Sequence, residues 1–387
     1  MSWKEKIIEK KLYILLFGVG ILNLIVFWYF FGFHNNNDTD SFIWTIERYR
    51  GIDSPLYTTR FLNPFYPIIA ATILRWASPA LSIIIINIAF YFGLIFFTFK
   101  LIESVFKSKF TALVSVFILI SAYPMLRYAL TQVQDIGGYF WFLLTIYMSW
   151  QWWKQKQDVY LFIGGLAVGM GMLVKESGAM GALFIAVLFL LDKSSIKQKL
   201  VYFLKFSLLP FIILLINQYQ ARRVNYNSAQ WFVDNWKMFG HEFTLFKWLG
   251  VNATTYNVLW LFILLGVILL VKNRKTIDAD IKVYLLAVVP ASFCYFAWPI
   301  FIARTVFISA WLCIPIAAYA INAVWIKGNK YKYVACAMIV VAVVMPYVLQ
   351  YTLRYAHLFM IIENCNKSIS CSWSYFWENR ENFSKLK

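Results

Sequence analysis

Long apolar stretches separated by short polar connectors recur along the whole chain, near residues 12–33, 80–99, 110–124, 136–152, 159–174, 177–191, 206–219, 256–271, 283–299, 304–324 and 334–351. Blocks of this kind are what crossing a hydrocarbon core about 30 Å thick requires. A helix satisfies its own backbone inside such a segment, and the short alternation of a membrane barrel does not occur in the sequence. The pattern predicts an all-α membrane protein, a polytopic bundle of about eleven transmembrane helices with short interfacial helices in its outer loops. Segment 61–77 reads either as a further span or as an interfacial helix. Residues 1–351 then form the transmembrane domain, with outer loops 34–60 and 220–255, and 352–387 form a short external tail. The first apolar run, Leu12 to Phe33, follows a basic stretch as a secretory signal does. It is too long for a signal core and ends without a small-residue cleavage site, so it reads as a retained anchor.

Composition narrows the class further. Of 387 residues, 61% are hydrophobic, 20% aromatic and 14% charged, and the mean hydropathy is +0.64. A soluble domain carries about 25% charged residues, so a water-soluble fold is excluded. Charge then orients the bundle. The connectors 1–11, 100–109, 153–158, 192–205, 272–282 and 325–333 carry lysine repeatedly, from Lys4 and Lys11 through Lys154 and Lys205 to Lys332, and one arginine, Arg274. This is the positive-inside signature of cytoplasmic loops. It accounts for most of the +18 net charge, and no nucleic-acid partner is needed to explain it.

The other side differs. Arg48, Arg50, Arg60, Arg75, Arg127, Arg222, Arg223, Arg304, Arg354 and Arg380 fall at or beyond the outer boundary. The guanidinium fork grips phosphate and carboxylate oxygens, so these arginines are candidate ligand-binding groups. The alternative is that they only keep the outer loops soluble. His34, His241 and His357 lie in separate outer loops without metal-ligand spacing, which argues against a zinc site. Cys294, Cys313 and Cys336 fall in spans as packing residues, whereas Cys365 and Cys371 share the external tail, where a disulfide is chemically permitted. The outer rim is thus expected to gather the acids, nearly all the arginines and every histidine.

Four outer features carry candidate chemistry. The loop 34–60 holds Asp38, Asp40, Glu47 and Asp53, and the stretch from Asp40 to Arg50 contains no Gly or Pro before the end of a short predicted helix. There Trp44 follows Asp40 by one turn, although Asp38, Thr39 or Asp40 could equally serve as a helix cap. Pro64 and Pro67 after it predict a break and a reoriented surface segment. The second feature is Arg127 with Asp135, which opens a span ahead of Gly137 and Gly138; a cap or helix-dipole role is the alternative. In the third, Gly165, Gly169 and Gly171 permit close helix approach, and Lys175 arrives at the outer end of the same span. Glu176 points away from it, so Lys175 either snorkels or binds an anionic headgroup. The fourth is Arg304, set in an almost wholly apolar segment and expected to turn into the bundle towards an anion. In the outer segment 220–255, an aromatic stripe from Phe232 to Phe246 predicts an amphipathic interfacial helix.

In this order the features resemble the GT-C superfamily of polyprenyl-phosphate-sugar-dependent membrane glycosyltransferases, over roughly residues 12–320. Asp40-Ser41-Phe42-Ile43-Trp44 looks like that family's catalytic loop, and Arg60-Phe61-Leu62-Asn63-Pro64 like the arginine-leucine-proline stretch that follows it. Asp135, the Gly-rich helix ending in Lys175, and Arg304 before a proline-containing helix also match. The C-terminal domain and tryptophan-rich acceptor motif of oligosaccharyltransferases are missing. The resemblance implies inverting transfer of a sugar from a polyprenyl-phosphate donor to an acceptor hydroxyl on a lipid or glycan, on the outer face of a bacterial cytoplasmic membrane. It implies Asp40, Asp38 and Asp135 as catalytic acids and Lys175, Arg304, Arg60 and Arg127 as donor-phosphate ligands. Asp38 and Asp40 resemble metal-binding acids, while other branches work without metal, so a divalent cation stays an open alternative. A departing phosphate is already a stable anion, so one base is enough and Asp40 is the choice. The competing class is a transporter or flippase of lipid-linked sugars, which would place its ionisable groups near the midplane on interrupted helices.

Overall fold

The computed structural model describes residues 3–31, 39–55, 62–223, 245–297 and 303–352, with parts of 230–237. Among these residues every regular element is helical. The chain opens with α1 (Trp3–Phe31), α2 (Thr39–Tyr49), α3 (Phe65–Ala71) and α4 (Pro79–Phe106). It continues through α5 (Lys109–Ser121), α6 (Tyr123–Ala129), α7 (Asp135–Gln155), α8 (Asp158–Val174), α9 (Glu176–Ala179) and α10 (Ala182–Leu191). The later helices are α11 (Ile196–Arg223), α12 (Leu245–Tyr256), α13 (Leu259–Lys272), α14 (Ala279–Phe293), α15 (Ala303–Val306), α16 (Ala310–Trp325) and α17 (Asn329–Thr352).

A helix stands in each of the predicted apolar blocks. Among the described residues six stretches are long and apolar enough to cross a membrane: Lys10–Tyr29 in α1, Pro79–Phe106 (α4), Ile196–Arg222 in α11, Ala279–Phe296 beginning with α14, Arg304–Trp325 from α15 through α16, and Asn329–Val348 in α17; α5 with α6 makes a seventh if that pair, bent by 57°, is one span. The α8 helix, the α9–α10 pair and α13 are shorter apolar helices. The chain is therefore a multi-pass helical membrane protein, with six or seven clear spans among the described residues. The other four of the eleven predicted blocks hold α7, which is not among those long apolar stretches, and the shorter helices α8, α9–α10 and α13, so length and hydropathy together do not reach the count of about eleven. Segment 61–77 holds only the seven-residue α3, too short to span. Pro64 is its N-cap and Pro67 lies in its first turn, where a missing N–H costs nothing, so neither proline breaks it.

The core is aromatic and crossed by few polar contacts. Trp150, Trp152 and Trp311 are fully buried, and the Trp311 indole donates to Thr98 Oγ1 at 3.1 Å. Asn23 of α1 donates to the Ile120 carbonyl of α5 at 2.6 Å and accepts from the Tyr347 hydroxyl of α17. Prolines lie inside α11, α14, α16 and α17. Each removes an N–H, which strands the carbonyl four residues earlier, and in a membrane a neighbour must cover it. Pro315 strands the Trp311 carbonyl, which accepts the Tyr284 hydroxyl from α14. Pro210 strands Phe206, and there Gly165 of α8 approaches so closely that a Cβ on it would stand 2.0 Å from the Phe206 oxygen. Gly169 meets α11 at the Ile213 side chain, 2.4 Å from where its Cβ would be. The predicted close approach of the Gly-rich helix is thus made against α11.

One end of the bundle is tied by ion pairs between connectors. Lys107 reaches Asp278 at 2.6 Å and Asp280 at 3.3 Å, and Lys154 reaches Asp280 at 2.7 Å. Lys156 pairs with Asp192 at 2.7 Å and Lys205 with Asp158 at 2.5 Å. The expectation that the acids gather at the outer rim is corrected here: Asp158, Asp192, Asp278 and Asp280 sit among the lysines. Lysine-rich connectors that meet in space need counter-charges, and reading lysines alone for topology overlooked them. Of the three cysteines in helices, Cys313 is buried and Cys294 half-buried, but Cys336 is exposed and does not pack in the core.

Candidate functional site

Asp135 opens α7 and Lys154 nearly closes it, so the carboxylate stands about 30 Å from the lysine-rich end at 1.5 Å per residue. The Asp135 side chain is only 3% exposed, yet two cations converge on it. Lys175 Nζ donates to Oδ1, and Arg304 Nη1 lies 3.9 Å from Oδ2. The cations keep some access to the exterior, with side chains 25% and 21% exposed. Asp135 does not cap its helix: the N-cap is Gln134, and its side chain makes no cap hydrogen bond. Glu176 is exposed, and Lys175 takes Asp135 as its partner instead.

The sequence places each member by a different device. α8 stops at Val174, and Lys175 turns to extended backbone (φ −161°, ψ 142°) before α9 begins. Its N–H still reaches the Gly171 carbonyl at 2.8 Å, and its carbonyl accepts from Gly178 N–H at 2.8 Å. That fold-back needs glycine, because a Cβ on Gly171 would stand 2.6 Å from the Gly178 backbone carbon. Arg304 lies in α15, whose backbone is held to α7 by the Tyr139 hydroxyl, which donates to the Arg304 carbonyl at 2.7 Å. The Tyr139 ring also meets Phe307 edge-on at 5.2 Å.

The segment leading into Asp135 is fastened by Asn87, a fully buried amide in α4. Its Nδ2 donates to the Val133 carbonyl at 2.8 Å, Thr131 at 2.9 Å and Tyr128 at 3.3 Å. Its Oδ1 accepts from the Tyr66 hydroxyl of α3 at 2.6 Å. Asn87, Tyr66 and Tyr139 were not singled out in the sequence. The signal for Asn87 was present, since it is a lone amide in the apolar run Ile83 to Phe92, and such groups in spans are costly and placed for a reason.

Other predicted residues fall differently. Arg127 in α6 donates to the Tyr123 hydroxyl and lies over that ring, its carbon 5.6 Å from the centroid. Tyr128 stands within electrostatic reach of Arg127, Arg304 and Asp135, which puts all four in one neighbourhood. Asp40 occupies the first turn of α2, as predicted, but is exposed and takes part in no ion pair among the described residues. α2 rests on α3, the helix that carries Tyr66. Asp38, Arg60, all three histidines, the Cys365 and Cys371 pair and most of the 232–246 stripe lie outside the described residues. Two outer arginines are committed to local structure: Arg48 donates to the Ser54 carbonyl at 2.8 Å and Arg50 to those of Ala70 and Leu74 at 2.8 and 3.1 Å. Among the described residues no three His, Cys, Asp or Glu side chains gather as a metal set, and Asp38, the other acid of the possible Asp38 and Asp40 pair, lies outside them.

Residues 63–217 match the family described as dolichyl-phosphate-mannose-protein mannosyltransferase. The fold is similar to that of the Archaeoglobus fulgidus oligosaccharyltransferase, crystallised with Zn and sulfate, with a TM-score of 0.54 and 15% sequence identity. The likeness covers 82% of this chain and 48% of that one, so the present chain spans about half the length of its structural neighbour. Sequence comparison with curated proteins finds no match. The family match runs over residues 63–217, from α3 to most of α11, and the structural neighbour shares the fold.

Proposed function

We propose that this chain transfers a sugar from a polyprenyl-phosphate donor to the hydroxyl of a lipid or glycan acceptor. The observation that carries the reading is the convergence of Lys175 and Arg304 on Asp135 at the bundle end away from the lysine-rich connectors. By the positive-inside argument that end faces outward, across the cytoplasmic membrane of a bacterium. Asp135 contributes one negative charge against two cations, so the group keeps a net positive charge for an anionic ligand. In the reaction the acceptor oxygen bonds to the anomeric carbon while the bond from that carbon to the phosphate oxygen breaks. The electron pair leaves with the phosphate, and fixed cations aimed at it supply the electrostatic stabilisation. A single displacement inverts the anomeric centre.

The acceptor proton goes to Asp40, which is exposed and takes part in no ion pair among the described residues. Asp135 is unsuited to that task, being buried and already held by Lys175; its role is to position the two cations. Arg127 adds positive charge on the donor side; Arg60 and Asp38 are kept as a donor ligand and a catalytic acid on the resemblance of their sequence motifs alone. Reconstitution into vesicles with dolichyl-phosphate-mannose and related lipid-phosphate sugars tests the reading. Lys175→Ala and Arg304→Ala are expected to weaken donor binding, and Asp40→Asn to lower turnover with donor binding retained. Failure to bind any such lipid would sink the class, and full transfer by Asp40→Asn would sink the base assignment.

A further inference from the structure

The N-cap position of α7 holds a side chain that does nothing for the helix. Gln134 makes no cap hydrogen bond there and is only 3% exposed. Its Oε1 is buried without a hydrogen-bond partner among the described residues. A second orphan lies against the same turn. Ser177 Oγ is buried and has no hydrogen-bond partner among the described residues, and stands 2.8 Å from where a Cβ on Gly138 would be. Buried polar atoms in native proteins almost always find a partner, and where protein supplies none a ligand or water does. Both orphans flank the turn on which Lys175 and Arg304 converge.

The type of orphan selects the type of partner. A carboxamide oxygen only accepts, so whatever satisfies it must bring a hydrogen. A phosphodiester has none to give. A sugar hydroxyl donates one and can at the same time accept from a serine hydroxyl. We infer that Gln134, assisted by Ser177, reads a hydroxyl of the sugar being transferred and sets the specificity of the site. This rests on the proposed donor class, and the test separates the two.

The measurement is the affinity of the detergent-solubilised full chain for bare dolichyl phosphate and for dolichyl phosphate carrying mannose, glucose, galactose or N-acetylglucosamine. Wild type is expected to bind one sugar-bearing lipid more tightly than the bare one. Gln134→Met, which keeps the length of the side chain but removes its acceptor, should lose about tenfold for that lipid and nothing for bare dolichyl phosphate. Ser177→Ala should lose less. Gln134→Leu serves where the Met variant fails to keep the wild-type melting temperature. Equal losses for both lipids, or none for either (a trapped water being the partner), would overturn the inference. So would a wild type that binds bare and sugar-bearing lipids alike, which would leave the phosphate reading standing. A wild type that binds none of the five lipids removes that reading and this inference together.

Discussion

Tyr284 donates its hydroxyl hydrogen to the backbone carbonyl of Trp311, the carbonyl that Pro315 leaves without its helical partner. Both residues are fully buried. Removing the hydroxyl strands that carbonyl a second time, at a cost of about 1–3 kcal/mol. Tyr284→Phe should therefore lower the melting temperature in detergent. Pro315→Ala restores an N–H to Trp311, so the same Tyr284→Phe change should cost clearly less in that background. Equal costs in both backgrounds would separate the proline from the hydrogen bond.

Gly165 offers a steric counterpart. A Cβ there would stand 2.0 Å from the Phe206 oxygen, which is backbone and cannot rotate aside. Gly165→Ala should push α8 off α11 and destabilise by about 1–3 kcal/mol, in the range of overpacked cores. Gly18, with open space at its Cβ position, is the control, and its alanine variant should be near neutral. Melting temperatures of the two variants side by side make the comparison.

Much of the architecture could be read from the apolar blocks, because lipid forces each helix to declare itself as a run of apolar residues. Lys175 and Arg304 were legible for the same reason, as charges that such blocks do not tolerate without cause. Their meeting point was not. Lys175 finds Asp135 across 40 residues, and Tyr139 anchors Arg304 across 165, and no periodicity links positions so far apart. Asp135 looked as much like a helix cap as like a functional acid, and the Gln134 N-cap together with the Lys175 contact speaks against the cap. The acids beside the lysines were misplaced because charge sign was read loop by loop, whereas Asp278 meets Lys107 from a different connector.

That pair makes a pH prediction. The Lys107 ammonium, hydrogen-bonded to the Asp278 carboxylate, holds that carboxyl below its usual value, helped by the Asp280 backbone N–H. A depressed carboxyl stabilises the fold above its unfolded pKa of about 3.9, and the contribution is lost as pH falls through the lower folded value. Asp278→Asn keeps an acceptor for the Asp280 N–H and removes the charge. Its melting temperature should fall slightly below wild type at pH 6, with the gap closing below about pH 4 and in high salt. A gap that persists at pH 3 would assign the effect to the cap alone.

The pair of Asp135 with Lys175 is a different case because the carboxylate is 3% exposed. Removing one partner of a buried pair leaves a charge without compensation, at a cost of about 3–5 kcal/mol when both are fully buried. Lys175 keeps 25% exposure and so some contact with water, which places Asp135→Ala nearer the lower end, with Lys175 and Arg304 left facing each other. Lys175→Met alone should cost less, since Arg304 still faces the carboxylate at 3.9 Å. The double variant should be more stable than the two single costs add up to, by at least about 1 kcal/mol, which exceeds the coupling of most exposed pairs. Unfolding of all four proteins in one detergent measures the coupling. Strict additivity would mean that Lys175 leaves Asp135 for solvent in the membrane, and with it would go the role of Asp135 in positioning the cations.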